Sequence, residues 1–169
     1  VMTSGKCPAP GARRAAVVAA VTVLAFPMGS GALAEASKWV ANDRGAVRVI
    51  SAAKGVGQSR TAALGVEFRL KPGWKTYWRI PGESGIPPRF DWGGSVNLAG
   101  TTVIWPGPMR FTIAGMQSYG YAERVVLPIH AHVAEPGKPL IARLHLRYAI
   151  CREVCVPEEA RLTLTLPAG

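Results

Sequence analysis

Beyond residue 45 the chain alternates apolar and polar positions with a period of two, in short runs separated by glycine and proline. Leu64, Val66, Phe68 and Leu70 share one face of an extended run, which leaves Gly65, Glu67 and Arg69 facing out. Val125, Leu127, Ile129, Ala131 and Val133 form a second such face. Leu144, Leu146, Tyr148 and Ile150 form a third, with Arg143, His145, Arg147, Ala149 and Cys151 opposite them. Leu162, Leu164 and Leu166 repeat the pattern against Arg161, Thr163 and Thr165. Residues 46–53, 74–80, 89–92 and 101–105 read as further strands, 81–88 as a loop rich in glycine and proline, and 106–118 as irregular. No long helical period appears, and 14 prolines punctuate the chain. About eight strands on one core predict an all-β fold, an immunoglobulin-like β-sandwich. Its expected core is Leu64, Val66, Phe68, Leu127, Ile129, Leu144, Leu146, Leu162 and Leu164.

Residues 1–34 follow another pattern. Lys6, Arg13 and Arg14 precede the apolar run Ala15 to Phe26, and Ala32-Leu33-Ala34 is a small-residue cleavage pattern before Glu35. That order of regions is a secretory signal peptide. A membrane anchor needs about 20 apolar residues, whereas Pro27, Gly29 and Gly31 break this run. The expected organisation is a signal peptide, 1–34, followed by one domain, 35–169, without repeat, linker or low-complexity tail. The net charge of +10 is partly the leader's, and the remaining basic residues are spread singly from Lys38 to Arg161. With no basic run, nucleic acid is not an expected partner.

Of the three cysteines, Cys7 lies in the leader, so an exported protein keeps Cys151 and Cys155. An even pair in an oxidising compartment fits one disulfide. On a straight strand the two would sit about 13 Å apart, and a disulfide needs Cα atoms about 4.4–6.8 Å apart, so the chain must turn between them. Arg152-Glu153-Val154 is awkward as a three-residue hairpin loop, which usually places a glycine in the left-handed region. A helical turn or wider loop therefore stays open. Strand parity puts both cysteines on the outer face, which reads as a pair of accessible thiols among cations. Arg147, Arg152 and Arg161 favour the thiolate, and Glu153, Glu158 and Glu159 oppose them. A purely structural link this short stabilises by only about 2 kcal/mol, against about 4.7 for a hundred-residue loop.

Two other constellations compete with the pair. His130 and His132 point away from the apolar face of their strand and offer two imidazoles to a metal, with His145, Met109 or Met116 as further ligands of the kind copper takes. Outward histidines on a strand are more often simply solvated. Trp74-Lys-Thr-Tyr77-Trp78 crowds aromatic rings onto both faces, either as core or as a lid of Trp74, Tyr77 and Trp78 over the disulfide.

The runs Leu70-Lys-Pro-Gly-Trp-Lys-Thr-Tyr-Trp-Arg79, Pro81-Gly82, Pro87-Pro88-Arg-Phe-Asp-Trp92, Trp105-Pro106, Gly120-Tyr121, Leu127-Pro128 and Tyr148 through Pro157 occur in this order. Together they resemble the amino-terminal periplasmic domain of the DsbD/ScsB family of thiol:disulfide interchange proteins, over nearly all of the chain after the leader. The resemblance implies an immunoglobulin-like domain in the periplasm with a redox-active disulfide, acting as a protein-disulfide reductase component and using no cofactor. A membrane electron-transfer protein would supply reducing equivalents. Thioredoxin-like periplasmic proteins, such as disulfide isomerases or proteins of cytochrome c biogenesis and copper tolerance, would receive them. It also implies that Cys155 forms mixed disulfides and that Cys151 resolves them. The best-known branch spaces its cysteines more widely than this Cys-x-x-x-Cys. The chain ends at Gly169 without the transmembrane and thioredoxin-like parts that normally accompany such a domain, which implies separate partners or a truncated product. The alternatives are a copper-binding or copper-tolerance module using the cysteines and histidines, and a binding domain with an inert disulfide.

Overall fold

The computed structural model describes residues 35–169, so the expected signal peptide and cleavage site, and Cys7, lie outside the described residues. Twelve strands follow in chain order: β1 (Glu35–Ala36), β2 (Val40–Ala41), β3 (Gly45–Ser51), β4 (Thr61–Leu70), β5 (Lys75–Gly82), β6 (Arg89–Asp91), β7 (Leu98–Val103), β8 (Met109–Ile113), β9 (Met116–Ala122), β10 (Arg124–Val133), β11 (Leu140–Cys151) and β12 (Cys155–Leu166). There is no helix among the described residues. The strands form two antiparallel sheets. One runs β1-β3-β4-β10-β7 with β2 beside β3, and the other runs β12-β11-β5-β9-β8 with β6 beside β11. Packed face to face, they make the expected immunoglobulin-like sandwich.

The alternation that predicts the strands also builds the core. Every residue expected inside is buried, and Val66, Phe68, Leu127, Ile129 and Leu146 are fully so. Phe68 of β4 meets Tyr148 of β11 edge-on, ring centroids 5.4 Å apart, which ties one sheet to the other. Leu146 lies opposite Ala160 on β12 and Phe90 on β6, at the centre of its sheet. Truncating it to alanine is expected to lower the free energy of unfolding by about 2–5 kcal/mol. Urea titration reads this directly, and a loss well under about 1 kcal/mol would remove Leu146 from the core.

Two expectations need correction. Residues 106–118 are not irregular, because Met109–Ile113 and Met116–Ala122 pair as a hairpin. Its turn residues, Ala114 and Gly115, both have positive φ, 50° and 82°, the two-residue turn whose twist suits adjacent strands. Gly65 and Glu67 do face away from the core, yet both are buried. Glu67 has no exposed surface because Arg48 (2.7 Å) and Arg124 (2.7 Å) from the two neighbouring strands, and Arg69 (3.3 Å) from its own, close over it. Trp39 then stacks on Arg48 and Arg69. Burial alone would raise the Glu67 carboxyl, but hydrogen bonds from Arg48 and Arg124 and their charge outweigh it and hold it below its usual value.

The sheet containing the cysteines shares one edge of β11 between two strands. Beside Ile150 and Cys151 the neighbour is β5, and beside His145 to Arg147 it is β6. The chain between β5 and β6 must therefore leave the sheet and return, which places the loop 83–88 next to the end of β11.

Candidate functional site

Cys151 ends β11 and Cys155 begins β12, directly opposite each other in the register. Their Cα atoms are 4.3 Å apart and their sulfurs are joined, in keeping with the roughly 4.5 Å of a non-hydrogen-bonded antiparallel pair. The turn between them is the three-residue hairpin loop that the sequence made awkward. None of Arg152, Glu153 and Val154 has positive φ, so the loop closes without the left-handed residue and Val154 meets no penalty. Its side chain instead points into solvent, 66% exposed.

Parity correctly puts both sulfurs on the outer face, but the two differ in access. Cys155 is exposed, whereas Cys151 has no exposed surface. The cause is the β8–β9 hairpin, which extends this sheet and contributes Phe111 and Ile113 to a small second core with Tyr77, Ala149 and Cys151. The disulfide thus joins one exposed and one buried cysteine, rather than two accessible ones.

Tyr77 forms the cover. It lies on β5, is fully buried, and packs on Phe111 with centroids 6.0 Å apart. Its hydroxyl oxygen is 2.8 Å from each sulfur, so its O–H can donate to either. Burial raises the pKa of the phenol above 10.0, with a hydrogen bond to Ser84 acting against the shift, so Tyr77 remains a donor at neutral pH. Backbone at Gly85 lies against the outer side of the ring. The loop carrying Gly85 is pinned to β9: the Glu83 N–H donates to the Gln117 carbonyl, the Glu83 carboxylate accepts from the Gln117 N–H, and the Ser84 and Ser118 hydroxyls are 3.1 Å apart.

The other two rings of the expected lid are placed elsewhere. Trp74 and Trp78 pack against the main core, and Trp74 also carries the guanidinium groups of Arg44 and Arg152 over its ring. Arg152 thereby anchors the hairpin loop. Lys75, which the sequence reading missed, is the register partner of Cys151 across β5. Two of the opposing carboxylates are engaged, Glu158 with Arg44 at 2.8 Å and Glu159 with His145 at 3.0 Å.

The metal constellation does not assemble. His130 and His132 lie exposed on β10 of the opposite sheet, His145 is on β11, and Met109 and Met116 are on the β8–β9 hairpin. No group of three or more His, Cys, Asp or Glu residues suited to a metal occurs among the described residues.

A β-sandwich with a disulfide at the tip of a long hairpin, one cysteine exposed, the other buried and a tyrosine hydroxyl against both sulfurs, has the build of a thiol:disulfide interchange domain. Residues 46–167 match the family described as "Thiol:disulfide interchange protein DsbD, N-terminal". The chain belongs to that family. Among solved structures it is similar to the N-terminal periplasmic domain of ScsB from Proteus mirabilis, with 29% identity and a TM-score of 0.64 over 81% of this chain. The chain spans about half, 52%, of that structure's own length. The N-terminal domain of DsbD from Neisseria meningitidis, in its reduced form, matches over 79% of this chain and 86% of its own, with 18% identity and a TM-score of 0.37. No curated protein sequence matches.

Proposed function

We propose that this domain relays reducing equivalents in the periplasm, after export through the leader 1–34, with Cys155 as the sulfur that exchanges and Cys151 as its resolving partner. The observation that carries this reading is the unequal exposure of the two cysteines beside Tyr77. A thiolate of a reduced donor attacks the Sγ of Cys155, the exposed cysteine. The Sγ–Sγ bond breaks, its electron pair leaves with Cys151, and a donor–Cys155 mixed disulfide forms. The Tyr77 hydroxyl, 2.8 Å from Cys151 Sγ, is placed to donate a hydrogen bond to the departing thiolate. A second donor thiol then displaces Cys155, leaving the donor oxidised and both cysteines of this domain reduced. In the forward delivery step Cys155 attacks a disulfide of the recipient and Cys151 resolves the adduct, which restores the starting disulfide and passes on two electrons.

The donor fits a membrane electron-transfer protein, and the recipients fit thioredoxin-like proteins, as the family membership suggests. No cofactor enters these steps, since sulfur carries both electrons. Equilibration of the pair with glutathione or thioredoxin redox buffers, read by thiol alkylation and mass, tests the reading. Structural disulfides of secreted proteins typically lie below about −300 mV, and an exchanging pair is expected above that value. A potential well below it would make the link a staple of the hairpin.

A further inference from the structure

The outer face that carries Cys155 continues along β11, β12 and β6, and its charges are unbalanced. Arg147 lies directly between Arg89 on β6 and Glu159 on β12, and His145 lies between Asp91 and Arg161. Directly opposed residues of antiparallel strands project to the same side, and like charges so placed destabilise the pair. Arg89 and Arg147 are such a pair, both exposed. The nearest carboxylate in their row, Glu159, is already hydrogen-bonded to His145. Arg89, Arg147 and Arg161 make no ion pair among the described residues, whereas the buried Glu67 of the other sheet takes three arginines. The hydrogen bond from His145, together with the charges of Arg147 and Arg161, lowers the Glu159 carboxyl, which places both guanidinium groups in one field.

Distance decides what these arginines act on. The row of Arg147 is four residues from the disulfide, about 13 Å, and that of Arg161 is six residues away, about 20 Å. Screening extends about 8 Å at physiological ionic strength, so they act weakly on the thiol itself. A docked protein covers about 800 Å² per partner, a round patch roughly 32 Å across, which spans both rows when Cys155 lies toward its rim.

We infer that the face of β6, β11 and β12 beside Cys155 docks an acidic surface of the protein that exchanges disulfides there, carrying carboxylates about 13–20 Å from its own reactive sulfur. This rests on exchange at Cys155, and it adds what the partner must present.

The test uses the full chain with Cys7→Ser and Cys151→Ser, which leaves Cys155 as its one thiol. The probes are synthetic peptides with a single cysteine in mixed disulfide with thionitrobenzoate, then four neutral residues, then four glutamates, glutamines or lysines. The Cys155 thiolate attacks the peptide sulfur, the peptide–thionitrobenzoate S–S bond breaks, and the released thionitrobenzoate anion is followed by absorbance. At low salt the glutamate peptide is expected to react about tenfold faster than the glutamine peptide, and the lysine peptide slower than both, with the gaps closing at high salt. Adding Arg89→Glu and Arg147→Glu should invert the order, while Arg60→Glu, in the loop that leads into β4 of the other sheet, should leave it intact. The mixed disulfide of mercaptoethanol and thionitrobenzoate should react at one rate throughout. Equal rates for the three peptides, or a salt-independent order, overturn the docking surface and leave exchange standing. A Cys155 thiol that reacts with no probe overturns both.

Discussion

With Cys7 and Cys151 replaced by serine, Cys155 should accumulate a stable mixed disulfide with an oxidised thioredoxin-like protein, and the matching Cys155→Ser variant should accumulate little. The geometry sets the sign. Cys155 is open to a partner, whereas Cys151 has no exposed surface and sits in a cluster with Tyr77, Phe111, Ile113 and Ala149. A thiol buried this way reacts only after local opening of the site, and each 1.4 kcal/mol of opening free energy lowers the reactive population about tenfold. An opening of about 2.8 kcal/mol makes the two variants differ roughly a hundredfold in trapping rate. Non-reducing electrophoresis and intact mass of the adduct measure it. Equal trapping by both thiols would mean that the cover over Cys151 does not hold in solution, and preferential trapping by Cys151 would reverse the assigned roles.

The sandwich was legible because parity alone decides which face of a strand is apolar, and Leu144, Leu146, Leu162 and Leu164 leave no ambiguity of register. Parity also aimed both cysteines outward correctly. What it cannot supply is what lies over an outward face, and here that cover comes from a hairpin remote in sequence. The signal for the hairpin was present in the alternation of Met109, Phe111 and Ile113, but Ala114-Gly115 is not one of the strong turn dipeptides, and the prolines at 106 and 108 precede it. The same effect explains Glu67, which faces out as expected and is buried by arginines from strands on either side. Within the aromatic cluster, Tyr77 and Trp78 are neighbours on a strand and must face opposite ways. The parity of residue 77 relative to the cysteine face was therefore the feature that separated the residue touching sulfur from the two that pack on the core. Ser84, Gly85 and Ser118 had no such signal, since a loop's contacts do not follow a period.

Gly85→Ala should uncover the disulfide and destabilise the domain together. An added Cβ would clash with Tyr77 Cε1 and lie 2.5 Å from Cδ1 and Cζ, where ordinary contact begins at 3.4 Å, and the backbone there has φ +118°. A side chain in that conformation carries strain of about 1–3 kcal/mol before any clash is counted. Tyr77 has nowhere to retreat, because its ring rests on Phe111 and its hydroxyl contacts both sulfurs. The loop must therefore lift, or the ring must leave the sulfurs, and either movement opens Cys151. If a penalty of about 1–3 kcal/mol falls on the closed form, the open population rises by roughly one to two powers of ten. The rate of reduction by dithiothreitol should rise in the same measure, with a lower midpoint of thermal unfolding. Gly94→Ala is the control for strain alone, since its φ is +78° and nothing lies within 4 Å of the added atom; it should lower stability without changing the reduction rate. Tyr77→Phe keeps the ring and removes only the hydrogen bond, so its reduction rate should change much less than that of Gly85→Ala. A Gly85→Ala protein reduced at the parent rate would show that the loop over Tyr77 does not control access to the pair.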